Sequence, residues 1–192
     1  MIIGIDWNCT LQDTINEIIR TVYLIYGVVL KPEDFNRWDP PIGQKLGIDN
    51  DVFTAWAWKS EGIQKRARAY PFAREVIRLL YTSGHTIKII TSTSCPHLVE
   101  AWLYRFKIPY HGLVVTQDKS SVEFDLLIDD NPYTCEKLFL EQRGIIRYAG
   151  VPWNRHLTHI PAADGWSLEM LSLILNHAQA AALNPITNGA DL

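Results

Sequence analysis

Asp125-Leu126-Leu127-Ile128-Asp129-Asp130-Asn131-Pro132 packs a strand, an acidic pair and a helix start into eight residues. The apolar run suits a strand buried on both faces of a parallel sheet. Asn131 and Pro132 are good N-cap and N1 residues for the helix that follows. Two carboxylates are left at the carboxyl end of a buried strand, where open α/β sheets bind their ligands.

The same grammar recurs in both directions. Met1-Ile2-Ile3-Gly4-Ile5 predicts a buried strand that breaks at Asp6. Ile15, Ile18, Ile19, Val22, Tyr23 and Tyr26 fall at helical spacing, with Asp13 as cap and Gly27 as stop. Ala73, Val76, Ile77, Leu80 and Tyr81 predict a helix ending near Gly84, and Thr86–Ile90 a strand closed by Thr91-Ser92-Thr93-Ser94. Pro96 opens a helix through Phe106, Leu113–Val115 reads as a short strand before Asp118-Lys119-Ser120, and Ile145–Tyr148 is the last strand candidate. Ser167 caps a helix to about Leu183, with Leu168, Leu171 and Leu175 expected inward. Strands alternating with helices predict an α/β fold around a parallel sheet flanked by helices. Lys31–Tyr70, rich in proline and tryptophan, reads as short helices and turns without a clear strand, and 184–192 as a poorly ordered polar tail.

Composition narrows the function classes. The chain has 192 residues, 47% apolar and 20% charged, with a formal net charge of −3. That is enough for one domain with a small insertion and argues against a disordered protein. A net acidic chain is poorly suited to coating nucleic acid, so no stable nucleic-acid complex is expected. Three cysteines without CxxC spacing exclude a full disulfide framework and point to reduced thiols in a cytoplasmic protein. No apolar run approaches the about 18 residues of a membrane span, and no secretion signal is evident.

Asp6, Thr91-Ser92, Lys119 and Asp129-Asp130 all stand at expected strand ends and should converge. A carboxylate beside an acidic pair can hold a hard cation such as magnesium. Lys119 neutralises phosphate oxygens and Thr91 and Ser92 donate hydrogen bonds, leaving the Asp6 carboxylate free to attack phosphorus.

Here the chain resembles a known superfamily. Asp6-Trp7-Asn8-Cys9-Thr10-Leu11, Ile90-Thr91-Ser92, Asp118-Lys119 and Leu127-Ile128-Asp129-Asp130 are similar, in order, to the four motifs of the haloacid dehalogenase (HAD) superfamily. Val114–Ser120, Phe124–Pro132 and Val151-Pro152-Trp153-Asn154-Arg155-His156-Leu157 resemble the 5′(3′)-deoxyribonucleotidase family. The resemblance implies a Rossmann-like core (1–13 and 71–183) with a small helical cap (14–70) inserted after the first strand. It implies magnesium-dependent hydrolysis of nucleoside monophosphates, with Asp6 as nucleophile and metal ligand, Asp129 as second acidic ligand and Asp130 supporting the metal shell. Thr91, Ser92 and Lys119 would bind the phosphate, and a homodimer is compatible with the family.

One position departs from the pattern. The family carries aspartate two residues after the nucleophile, where this chain has Asn8. The resemblance implies that Asn8 still offers its backbone carbonyl to the metal. An amide, however, can neither protonate a leaving oxygen nor activate water, a contribution of about 10²–10⁴ in rate. The expectation is therefore either a slowed nucleotidase or a nucleotide- or phosphate-binding relative that has lost most of its turnover. The aromatics Phe35, Trp38 and Trp56 are candidates for stacking a base; Trp58, Tyr70 and Phe72 join them in a small segment that also needs its own core. His156 is read as a structural or substrate-rim group, and Arg66 and Arg68 as solvated helix charges rather than phosphate contacts. A receiver domain would put its acidic pair on the first strand, and a dehalogenase would need no acidic pair at all; the observed order disfavours both.

Overall fold

The chain, seen in a computed structural model, is described over residues 1–183, so the tail expected at 184–192 lies outside the described residues. Its strands are β1 (Ile2–Ile5), β2 (Gln12–Asp13), β3 (Arg68–Ala69), β4 (Thr86–Thr91), β5 (Gly112–Val115), β6 (Leu126–Asp129), β7 (Ile145–Tyr148) and β8 (Ala162–Ala163). Its helices are α1 (Thr14–Tyr26), α2 (Ile42–Lys45), α3 (Asn50–Lys59), α4 (Glu61–Arg66), α5 (Ala73–Thr82), α6 (Pro96–Phe106), α7 (Pro132–Leu140) and α8 (Leu168–Leu183). Six strands form one parallel sheet in the order β5-β4-β1-β6-β7-β8. The fold is α/β, as the alternation predicts.

Each sheet face has its own core. Ile3 and Ile5 of β1, Ile87 and Ile89 of β4, and Leu126 and Ile128 of β6 join the larger cluster. The intervening Ile90 and Leu127 join the smaller one, with Cys135 and Leu138 of α7. This period-2 division explains the nearly unbroken apolar strands. Gly4 faces the second cluster, and a Cβ there would stand 2.7 Å from Ile90 Cδ1 and 2.9 Å from Leu127 Cδ1. The closeness of β1 to its neighbours therefore depends on that missing side chain.

β1 lies centrally, and the chain order reverses beside it. It goes outward through β4 and β5, then returns on the other side of β1 as β6. The carboxyl end of β1 is thus the crevice where such sheets take ligands.

Residues 14–70 hold α1–α4, interposed between β1 and α5. α1 is capped by Asp13, which accepts from the Asn16 N–H, and stops at Gly27, whose φ of 67° is left-handed. One feature of this region departs from the sequence expectation: β3 pairs antiparallel with β2, Gln12 opposite Ala69 and Asp13 opposite Arg68. The ribbon draws together the two ends of the segment. Two-residue strands carry no periodic signal, which also explains why β8 was not expected.

α8 differs in phase. Its buried side chains are Met170 and Ile174, whereas Leu168 is 85% exposed and Leu175 is 41% exposed. Leucines around much of the circumference define no single face, and Met170 and Ile174, one helical turn apart, take the core positions. Leu171 packs beside them, partly buried. Tyr23 and Tyr26 of α1 are likewise exposed, because the last turn of α1 extends past the core.

Candidate active site

The loop after β1 is built by its own backbone. The Asp6 N–H donates to Ile128 O (2.9 Å), Leu11 and Gln12 N–H donate to Trp7 O (3.0 and 2.9 Å), and Cys9 N–H donates to Gln12 O (2.8 Å). Closing so tight a turn puts Cys9 at φ 57°, a left-handed conformation costly for a residue with a Cβ, about 1–3 kcal/mol, and concentrated at functional sites. The indole of Trp7 is sunk in the core edge-on to Trp102, anchoring the loop.

Around this turn the predicted polar residues meet. Lys119 Nζ lies 2.7 Å from Asp6 Oδ1 and 2.7 Å from Asp129 Oδ2, all three side chains being buried. Carboxylate oxygens of Asp6, Asp129 and Asp130 lie within 4.8 Å of one another. Asp129 also accepts from the Asn131 N–H (2.9 Å), and Asp130 from the Thr10 hydroxyl (2.9 Å). Thr91, Ser92 and Asn8 line the same cavity.

Three carboxylates face one ammonium, a formal balance of −2 in a buried setting, where uncompensated charge is costly. The titration of these groups records that cost. Burial pushes Asp6 up to about 6, against the lowering pull of Lys119. Burial, with the charges of Asp6 and Asp129, pushes Asp130 well above the usual carboxylate range. Burial works to lower Lys119, but Asp129 and Asp6 outweigh it and hold the ammonium above its ordinary value. A hard divalent cation would supply the missing charge, and an all-oxygen donor set is what magnesium takes. The residues present fit the metal. Cys9, by contrast, is a buried thiol pushed upward and no ready nucleophile.

The loop of the acidic pair is held from behind. Asn154 Nδ2 donates to Asp130 O (2.8 Å) and Tyr148 O (2.9 Å), its Oδ1 accepts from Arg147 Nη1 (3.0 Å), and Trp153 Nε1 donates to Asp130 O (3.2 Å). The Lys119 turn is held similarly: Arg143 donates to Ser120 O and to Val122 O (3.0 Å) while lying over Phe124.

The cavity has a volume of about 360 Å³, within the range of about 300–1,000 Å³ usual for small-molecule sites. Besides the polar cluster, its lining includes Phe35, Arg37, Trp38, Asp39, Thr54, Trp58 and Trp153. Trp153 meets Trp38 at 5.9 Å and Trp58 at 6.4 Å, both edge-on, giving an aromatic wall.

Of the aromatics singled out in the sequence, Phe35 and Trp38 line the cavity, whereas Trp56 packs on Phe53 (5.8 Å) away from it. The phase of α3 explains this correction: Phe53 and Ala57 face the core, Thr54 and Trp58 share the cavity face four residues apart, and Trp56 lies between. Arg66 is structural, donating to Glu17 (2.6 Å) and Thr21 (3.2 Å), and His156 is exposed outside the cavity lining. The parts not foreseen are Thr10, Asn154, Arg37 and Asp39. Thr10 had a signal in its place in the loop after the nucleophile candidate, and Asn154 in the family-like segment Val151–Leu157; Arg37 and Asp39 had none.

Comparisons with known proteins bear on the family and the fold. Residues 1–180 match the family described as 5′ nucleotidase, deoxy (pyrimidine), cytosolic type C protein. A 5′(3′)-deoxyribonucleotidase of Clostridium acetobutylicum is 29% identical over 145 residues, covering 70% of this chain and 75% of that protein. A protein assigned as a phosphatase from Clostridium difficile superposes with a TM-score of 0.62 at 12% identity, over 88% of this chain and 97% of that one. YfnB of Bacillus subtilis, assigned as a HAD hydrolase and bound to magnesium, gives 0.61 at 12%, over 91% and 98%. A predicted phosphatase from Clostridium acetobutylicum gives 0.60 at 14%, over 91% and 98%. At those identities the structures speak to fold alone. The family match spans nearly the whole chain, strand ends and insertion alike, and with it the chain belongs to the deoxy (pyrimidine) cytosolic type C 5′-nucleotidase family.

Proposed function

We propose that the chain hydrolyses nucleoside 5′- or 3′-monophosphates, pyrimidine deoxynucleotides foremost, through an aspartyl-phosphate on Asp6. The observation that carries this is the meeting of Asp6, Lys119, Asp129 and Asp130 in one buried cluster at the end of β1. Asp6, Asp129 and the Asn8 carbonyl would hold magnesium, with Asp130 supporting the shell; once bound, the ion neutralises phosphate oxygens and makes phosphorus electrophilic. Lys119, Thr91 and Ser92 would hold the remaining oxygens. Residues 14–70 then act as a cap over a core of 1–13 and 71–183, and Trp38, Trp58 and Trp153 offer faces for a flat base, with about 1–3 kcal/mol per stacked base. The cytosolic type of the matched family supports a cytoplasmic site of action. Among the described residues no helix is long and apolar enough to cross a membrane. A homodimer is part of the same proposal.

A second reading has its own observation. Asn8 lines the cavity and its side chain is an amide, so binding should survive better than turnover. Phosphate release from dUMP or dTMP with magnesium separates the readings. Release at ordinary enzyme rates, lost in Asp6→Asn, supports the nucleotidase; tight nucleotide binding without release supports the weakened relative. Asn8→Asp should raise the rate about 10²-fold.

A further inference from the structure

The cavity has nothing suited to protonating a departing oxygen. Asn8, nearest in the chain to Asp6, ends in an amide. Asp6, Asp129 and Asp130 would all be held ionised by the cation they fit, and Asp130 also accepts from the Thr10 hydroxyl. Lys119 in turn is bonded to two carboxylates. The hydroxyls of Thr54, Thr91 and Ser92 are about as basic, once ionised, as a sugar alkoxide, and cannot usefully acidify one. The remaining carboxyl in the lining, Asp39, is carried by the 14–70 insertion, is exposed, and already accepts from the Asn50 amide at 3.1 Å.

The same segment holds an unused cation. Arg37 lines the cavity, spends its Nε on Asp39 O (2.8 Å), and has no ion-pair partner among the described residues. Its two Nη groups are available to a second phosphate, a recognition that suits guanidinium.

We infer that this site takes the terminal phosphoryl group of nucleoside diphosphates in preference to the single phosphate of a monophosphate, with Arg37 on the inner phosphate. The inference rests on the reading of Asp6 as nucleophile and adds the leaving group to it. An Asp6 oxygen bonds to the terminal phosphorus; the bridging P–O bond breaks, and its electron pair leaves on the nucleoside monophosphate, which departs as an anion and needs no proton. Water then attacks the phosphorus of the aspartyl-phosphate, the bond to Asp6 breaks with its electrons returning to the carboxylate, and the proton from water goes to the released phosphate. That second step also lacks a base, so the phosphorylated chain accumulates.

The test is a rapid-quench comparison of dUDP and dUMP on the full chain with magnesium, following the first turnover and the intact mass. The expected result is a first turnover about 10²-fold faster for dUDP, with a burst of one dUMP per chain and a matching phosphoryl adduct that Asp6→Asn lacks. Asn8→Asp narrows the ratio below about ten-fold by speeding dUMP. Arg37→Gln raises KM more for dUDP than for dUMP. First turnovers of equal rate overturn the inference and leave the phosphatase reading standing; so does loss of dUMP turnover in Asp39→Asn, which would make Asp39 the acid. Product from neither nucleotide, with native chain or Asn8→Asp, overturns both.

Discussion

Lys119 is a buried lysine held on two sides, its ammonium 2.7 Å from each of two buried carboxylates. Removing one partner from such a group leaves the others uncompensated, at about 3–5 kcal/mol. Lys119→Met should therefore lower metal-free stability by about 3 kcal/mol in urea unfolding and also abolish phosphate release. A wild-type midpoint in that variant would mean the lysine does not organise the cluster. Asp6 and Asp129 were legible in the sequence because each stands at the end of a buried apolar strand, whereas Lys119, four residues beyond β5, was legible through the Asp118-Lys119 motif. Trp56 and Trp58 were not separable in that way. Both are tryptophans on one short helix, and only the phase of α3 against Phe53 and Ala57 decides which reaches the cavity.

Elements place these residues by how closely they approach. β6 and β7 meet where Leu127 N–H donates to Gly144 O (3.0 Å), and a Cβ on Gly144 would stand 2.1 Å from Asp125 O and 2.7 Å from the His177 ring. Backbone cannot step aside as a side chain end can. Gly144→Ala should therefore destabilise the fold by about 2–3 kcal/mol in thermal or urea unfolding, more than Gly4→Ala, whose added methyl meets only side-chain ends. An order reversed from this would show that the β6–β7 register is more yielding than the contacts imply. The strands and principal helices followed from apolar periodicity and from caps such as Asn131, which accepts from the Tyr133 N–H (2.9 Å). The ribbon of β2 and β3 did not, since Gln12, Asp13, Arg68 and Ala69 lie far apart in sequence and pair through backbone alone.

Across the whole molecule the folded state accepts a cluster of negative charge that the unfolded chain would disperse. Asp6 titrates near 6 in the folded, metal-free chain against an ordinary 3.8. Between those values the folded chain holds a proton that the unfolded chain has released, so metal-free stability falls as pH rises from about 4 to 6; Asp130, raised well above its ordinary value, acts in the same direction. Magnesium competes with those protons. Its addition should raise the melting temperature substantially at pH 7.5 and little at pH 5, and an equal rise at both would place the binding elsewhere.

The central claim is that one cation and one phosphoryl group share the cluster at the end of β1. A crystal structure of the chain with magnesium and a phosphate mimic tests it most directly. The expected electron density has magnesium about 2.0–2.1 Å from oxygens of Asp6, Asn8 and Asp129, with the mimic against Asp6, Lys119, Thr91 and Ser92. A cation bound away from Asp6, or a mimic that leaves Lys119 and Asp6 untouched, would contradict the account.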